Sequence, residues 1–221
     1  MRIENYGLIG DMQTAALVGR DGSVDWLCLP RFDSASCFSA LLGDERHGRW
    51  RLAPTGDVRA SARRYRAGTL VLETDFETDE GAARVIDFMP RRGEGPPRLM
   101  RIVEGLRGRV PMQMELSLRP DYASITPWIE SVPDGVIATA GPDEFRLTSV
   151  LPLDVKDGTV RAEFVALEGA NGSRSPGTCR TRRHRRLRTP TRHSPGRRSG
   201  GGSGAGAART RAAIAMRCWS R

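Results

Sequence analysis

The sequence predicts an all-β protein: an antiparallel β-sandwich followed by a disordered basic tail. Three observations carry that expectation. Short apolar runs alternate with polar residues at a period of two, turn chemistry recurs about every ten residues, and the composition changes abruptly near residue 170. The chain has 221 residues, enough for one ordinary domain and an appendage.

The opening reads as a β-hairpin. Segments 14–18 and 23–29 flank Gly19, Arg20, Asp21 and Gly22, and an Asp-Gly pair between apolar runs favours a tight reversal. A connector follows at 36–42, where Ser34 or Ser36 could cap one short helical turn carrying Phe38, Leu41 and Leu42. Strands are then expected at 48–52, 69–78, 83–88 and 99–106. In the next run Met112, Met114, Leu116 and Leu118 alternate strictly with Gln113, Glu115, Ser117 and Arg119, the signature of a half-buried strand. Further strands fall at 128–132, 135–140, 144–149 and 159–165, separated by loops rich in Pro, Gly and Asp. Pro90, Pro120 and Pro133 sit where strands end, because proline cannot donate to a ladder.

Charge separates two parts of the chain, 1–168 and 169–221. Residues 1–170 carry 21 basic and 26 acidic side chains, whereas residues 171–221 carry 14 arginines and no acid. The net charge of +9 therefore belongs to the tail and is not a property of the domain. With Leu187 and Ile214 as its large aliphatics and a Gly/Ser run at 199–206, the tail is expected to bury no core. Arg180 to Arg188 holds six arginines in nine positions and would attract nucleic acid only non-specifically, since no aromatic rings stand between them to stack on bases. No apolar stretch approaches the ~20 residues of a membrane helix, and the N-terminus lacks the apolar core of a secretory signal. A cytoplasmic location without a membrane partner is expected, with Cys28 and Cys37 as buried free thiols. Cys179, His184, His193 and Cys218 fit no zinc template, so neither metal nor cofactor is expected.

One constellation carries chemistry. Asp11, Asp21, Asp25, Arg31 and Asp33 crowd around Trp26, Phe32 and Phe38. An aromatic ring covers the apolar face of a pyranose, and carboxylates with arginine hold its hydroxyls through charge-assisted hydrogen bonds. On that reading Trp26, Arg31 and Asp33 are substrate-binding residues. The competing reading is structural: Asp21 is turn chemistry, while Asp25, Arg31 and Asp33 pair to tie down a loop and the rings are core. Glu73, Asp75 and Glu77 read as a solvated strand face.

The run from Ile3-Glu4-Asn5-Tyr6-Gly7 through Asp25-Trp26-Leu27-Cys28-Leu29-Pro30-Arg31-Phe32-Asp33-Ser34 closely resembles the opening of trehalase-like and glucoamylase-like proteins of glycoside hydrolase family 15. The likeness continues through Phe38, His47-Gly48-Arg49-Trp50, Tyr65, 69–74 and Val85-Ile86-Asp87-Phe88-Met89-Pro90, and covers residues 3 to about 168. The resemblance implies an N-terminal β-sandwich joined to a larger (α/α)6 barrel that holds both catalytic glutamates of an inverting α-glucosidase. No position of this chain matches either glutamate, so no catalytic residue is carried over. The expected partners are an α-glucoside in the intact enzyme and the missing barrel. A carbohydrate-binding module is the alternative.

The likeness stops near Asn171. Residues Ala213-Ile214-Ala215-Met216-Arg217-Cys218-Trp219 can be encoded as GCT ATC GCG ATG CGG TGC TGG. Read two bases later, those bases spell Tyr-Arg-Asp-Ala-Val-Leu, which resembles the first helix of the family's barrel. A frameshift near codon 170 would account together for the excess of arginine, the absence of acids and the lost periodicity. The expectation is a truncated chain whose tail is out-of-frame translation.

Overall fold

The computed structural model describes residues 1–169 and 211–220. It is all-β: two antiparallel sheets share one long strand and enclose a common core. The first sheet starts with β1 (Tyr6–Gly10), β2 (Ala15–Gly19), β3 (Ser23–Cys28), the short β4 (Ser36–Phe38) and β5 (Arg49–Pro54). The second starts with β6 (Ala60–Tyr65), β7 (Leu72–Thr78) and β8 (Gly81–Phe88). The strand common to both, β9, runs from Arg98–Ser117. Its first half pairs with β8, and its second half pairs with β5. The segments expected separately at 99–106 and 112–118 are thus one continuous strand. The local reason is Gly108, whose φ of +63° suits glycine and bends the strand between sheets, where a Cβ would run into the Glu80 carbonyl.

Beyond β9 the chain forms a meander of β10 (Trp128–Val132), β11 (Gly135–Ala140) and β12 (Asp143–Ser149) in the second sheet. It then returns to the first sheet as β13 (Asp154–Lys156) and β14 (Thr159–Leu167), with β14 lying along the second half of β9. The final strand, β15 (Arg211–Ser220), lies between the first half of β9 and β12. Here the expectation that the tail buries no core is corrected for residues 211–220. Ala212, Ile214, Met216 and Cys218, at alternate positions, are buried, as is the small Ala215, so an apolar strand was present inside the basic segment. Residues 170–210, including Cys179, His184, His193 and the arginine cluster, lie outside the described residues.

The expected helical turn at 36–42 is also corrected. Ser36–Phe38 is a strand paired to β3, and only Ala40–Leu42 makes a single 3-10 turn. Cys37 and Phe38 are drawn into the sheet because their side chains fill the core, and that burial outweighs local helix preference.

The core between the sheets includes Val24, Leu27, Phe38, Trp50, Leu52, Leu99, Val103, Met112, Met114 and Ile214. Each large apolar side chain buried there stabilises the fold by roughly 1.5–3 kcal/mol. One ion pair lies inside it, fully enclosed. Arg101 donates from Nε to Asp87 Oδ1 at 2.8 Å, and its terminal nitrogens donate to the carbonyls of Trp50 and Gly22 at 2.5 and 2.7 Å. The guanidinium also lies 5.4 Å from the Trp50 ring centroid. This side chain satisfies a carboxylate on β8 and two carbonyls of the facing sheet, and so joins the layers. Gly22, with φ of +79°, turns the β2–β3 hairpin against Leu52 where no Cβ would fit.

Glu73 and Asp75 are not simply a solvated face. Glu73 is buried and bridges Arg64 and Arg66, each at 2.6 Å, while Asp75 takes a bidentate contact from Arg84. Burial pushes both carboxyls up in pKa, but the surrounding arginines outweigh it and hold them below their usual range. Among the described residues no helix is long and apolar enough to cross a membrane.

Candidate functional site

Three loops meet at one end of the sandwich. The β1–β2 turn is shaped by Asp11, which is buried and accepts the backbone N–H groups of Gln13 and Thr14 at 3.0 and 2.9 Å. Thr14 in turn donates its hydroxyl to the Cys28 carbonyl at 2.6 Å, fixing the turn against the end of β3. From β3 the chain passes into a loop in which the Phe32 N–H reaches the Gln13 carbonyl at 3.1 Å. A tight reversal closes that loop: Ser34 Oγ accepts from the Arg31 N–H, and the Ser34 N–H donates to the Arg31 carbonyl.

The third loop, between β8 and β9, supplies Arg92. Its guanidinium donates to Asp11 Oδ2 at 2.9 Å, Gln13 Oε1 at 3.2 Å and the Pro30 carbonyl at 2.6 Å. Both side chains of the Arg92–Asp11 pair are almost wholly enclosed. A planar fork with several donors suits this task, because one group satisfies acceptors on two other loops at once. Sequence reading missed Arg92. Its partners lie 62 to 81 residues away, and no local spacing marks such a contact.

The pinned loop displays Arg31, Phe32 and Asp33 to solvent. Arg31 Nε donates to Asp33 Oδ1 at 2.9 Å, with both side chains mostly exposed and Phe32 63% exposed. The hydrogen bond from Arg31 lowers the Asp33 pKa, and Asp33 raises that of Arg31, so both are charged over the whole neutral range. Exposed pairs of this kind add little to fold stability. Their unsatisfied hydrogen-bonding capacity is open to a polar ligand.

Arg31 and Asp33 are thus brought together as the sequence suggested. Trp26 makes its ring contact elsewhere, on β3, where it lies 6.3 Å from Tyr122 at a tilt of 48°. Tyr122 is itself half-exposed and belongs to a loop with three successive left-handed residues, Asp121, Tyr122 and Ala123, anchored to β4 by the Arg119 N–H on the Cys37 carbonyl. Phe38 is core, so one member of the aromatic trio is structural. Asp25 does not pair with Arg31. It accepts the Tyr6 hydroxyl at 2.6 Å and the Ser23 hydroxyl, and burial together with this carboxylate raises the Tyr6 pKa. Asp21 is turn chemistry, capping the Ser23 N–H. Cys28 and Cys37 are buried free thiols, as is Cys218. Among the described residues no group of His, Cys, Asp or Glu is placed to hold a metal ion.

The arrangement offers an exposed guanidinium, a carboxylate and an exposed ring on a pinned loop, while the Trp26–Tyr122 ring pair joins β3 to the loop that follows β9. It can hold hydroxyl-rich surfaces by charge-assisted hydrogen bonds and ring contact. Asp11, Asp21 and Asp25, the other carboxylates of the sequence cluster, are engaged in the fold.

Residues 1–156 match the family described as trehalase-like, N-terminal. The chain is 33% identical over 195 residues to a trehalase of Mycolicibacterium smegmatis, covering 76% of this chain and 29% of that protein. It is 44% identical over 87 residues to a trehalase of Mycobacterium tuberculosis, covering 39% of this chain and 13% of that protein. It is 32% identical over 158 residues to a trehalase of Thermoplasma volcanium, covering 69% of this chain and 25% of that protein. The chain therefore spans less than a third of the length of these relatives. An all-β domain whose opening loops carry this constellation, and which matches the family along most of its length, belongs to the trehalase-like N-terminal family.

Proposed function

We propose that this chain is the N-terminal β-sandwich of a family 15 glycoside hydrolase acting on α-glucosides, either trehalose or malto-oligosaccharides. In this reading it is truncated, lacks the catalytic (α/α)6 barrel, and is inactive alone. The sandwich serves the intact enzyme by presenting the 26–33 loop beside the barrel's substrate pocket, with Arg31 and Asp33 as ligands for sugar hydroxyls and Trp26 supporting that surface. The observation that carries the reading is the Arg92 clamp. It pins a loop end that displays a mostly exposed guanidinium–carboxylate pair, and exposed pairs of this kind add little to stability.

Truncation is tested in the gene. Sequencing across codons 165–225 and onward for about a kilobase should reveal a shifted frame that opens into a helical domain. A downstream region closed in all three frames would reject both the frameshift and the missing barrel.

A second reading is supported by exposed Phe32 and the Trp26–Tyr122 pair: the domain binds sugar by itself as a carbohydrate-binding module. Calorimetry with trehalose and maltose separates the two. The proposal expects no heat of binding at millimolar sugar, whereas saturable heat that is lost in Phe32→Ala favours the module. Arginines within 171–210 add only non-specific attraction to nucleic acid, which should fall steeply with salt.

A further inference from the structure

β15 occupies the middle of the second sheet, yet no short turn connects it to either neighbour. Its register runs from Arg211 opposite Glu104 to Arg217 opposite Arg98 on one side, and from Ile214 opposite Ser149 to Ser220 opposite Asp143 on the other. The far edges of these neighbours are already paired, β9 to β8 and β12 to β11. Take β15 away and a slot remains, one strand wide, with two facing ladders of unpaired backbone groups. Its floor is the core that Ala212, Ile214, Met216 and Cys218 enter.

Such a slot is selective. It accepts an extended segment with apolar side chains at alternate positions, because a slip of one residue would bring the opposite face of the strand inward. Within β15 that face carries Arg217. Open edges of this length are strong templates for pairing.

What holds β15 in place is therefore the ladder and its buried side chains. The chain that leads to it, residues 170–210, has 41 positions. Fully extended, that segment could span up to about 140 Å. A domain of this size is roughly 40 Å across. Covalent connection does not dictate which copy's slot the strand fills.

We propose that the β9–β12 groove is an exchangeable strand site and that its partner in trans is β15 of a second copy of this chain. Two copies exchange their last strands reciprocally, each slot filled by the other chain, with every ladder bond and core contact of the monomer preserved. Tethering favours the copy's own strand in dilute solution. Exchange gains ground as the protein concentration during folding approaches the effective concentration of the tether, of millimolar order.

The test uses the full chain with a specific protease site inserted between residues 189 and 199. The protein is unfolded, refolded over a series of concentrations and separated by size, and the dimer is isolated and cut. The expected result is a dimer fraction that rises with refolding concentration. Cutting should convert that dimer into monomer-sized particles with unchanged circular dichroism, because only the two connectors hold exchanged lobes together. A dimer that survives complete cutting is an ordinary surface dimer and overturns the proposal. So does the absence of any dimer up to about millimolar protein, and so does loss of β-structure when the connector is cut, because that would show that the ladder and core do not hold β15.

Discussion

Removing the Asp87 carboxylate should cost this domain a large part of its stability. Asp87 and Arg101 are both fully enclosed, and the guanidinium has no route to water. In Asp87→Ala, Arg101 keeps its bonds to the Trp50 and Gly22 carbonyls but loses its carboxylate partner. Breaking a buried pair in this way costs about 3–5 kcal/mol. Whole domains are stable by only about 5–15 kcal/mol. For a chain of this length each kcal/mol moves the melting temperature by about 2–4 °C, so a fall of about 6–20 °C is expected. Urea titration should show the midpoint lowered by at least about 1 M at an m-value typical of small proteins. Asp87→Asn, which retains an acceptor for Nε, should lose less than the alanine variant. Replacing both partners, as in Asp87→Leu with Arg101→Met, should not restore native stability, because the carbonyls of Trp50 and Gly22 would each lose the Arg101 donor, Gly22 keeping only the Leu52 N–H. A loss below about 1 kcal/mol for Asp87→Ala would refute the view that this pair joins the two sheets.

Three further outcomes follow from the same structure. Burial pushes up the thiols of Cys28 and Cys37, and burial with nearby Asp143 pushes Cys218 up to about 12. In a Cys179→Ser background, a thiol reagent at pH 8 should therefore react only as fast as the protein opens; immediate labelling would show that the core is not closed over them. Glu73 and Asp75 have pKa values lowered on folding, so the unfolded chain binds more protons in acid. Their stabilisation is full above the ordinary carboxylate range, about pH 5, and lost as the pH falls through their lowered folded-state values, and Glu73→Gln should flatten the stability curve below about pH 5; an unchanged slope would contradict the ion network. Gly22→Ala should destabilise more than Gly68→Ala, because both have positive φ but only Gly22 is packed against a backbone carbonyl. The strain alone is worth about 1–2 kcal/mol, and equal losses by denaturant titration would rule out the packing argument.

Most strands could be read from the sequence because their signals are local. Alternation in 112–118 and the Asp21-Gly22 reversal each act within a few residues. What escaped reading depends on distant partners. Residues 60–65 were not among the expected strands, yet they form an edge strand in which Arg64 meets Glu73 and Asp75 on the neighbouring strand. Phe38 looked like helix or ligand platform and is core because β4 adds to β3. β15 was hidden by the arginines near it, since average composition obscured the short apolar run 212–216 and Cys218. Near the candidate site the Arg31–Asp33 pairing was legible by adjacency, whereas the contact of Trp26 with Tyr122, 96 positions away, was not. Arg92 was not, because its contacts exist only once three loops have met.

The central claim is that the 26–33 loop serves an active site supplied by a following domain. It is tested most directly by replacing the corresponding segment of the Mycolicibacterium smegmatis trehalase with residues 1–168 and measuring kcat/KM for trehalose. The account predicts an active chimera in which Arg31→Ala and Asp33→Ala each lower kcat/KM about tenfold or more, the scale of one lost charged hydrogen bond. An active chimera with unchanged kcat/KM in both variants, or turnover of trehalose by the present chain alone, would contradict it.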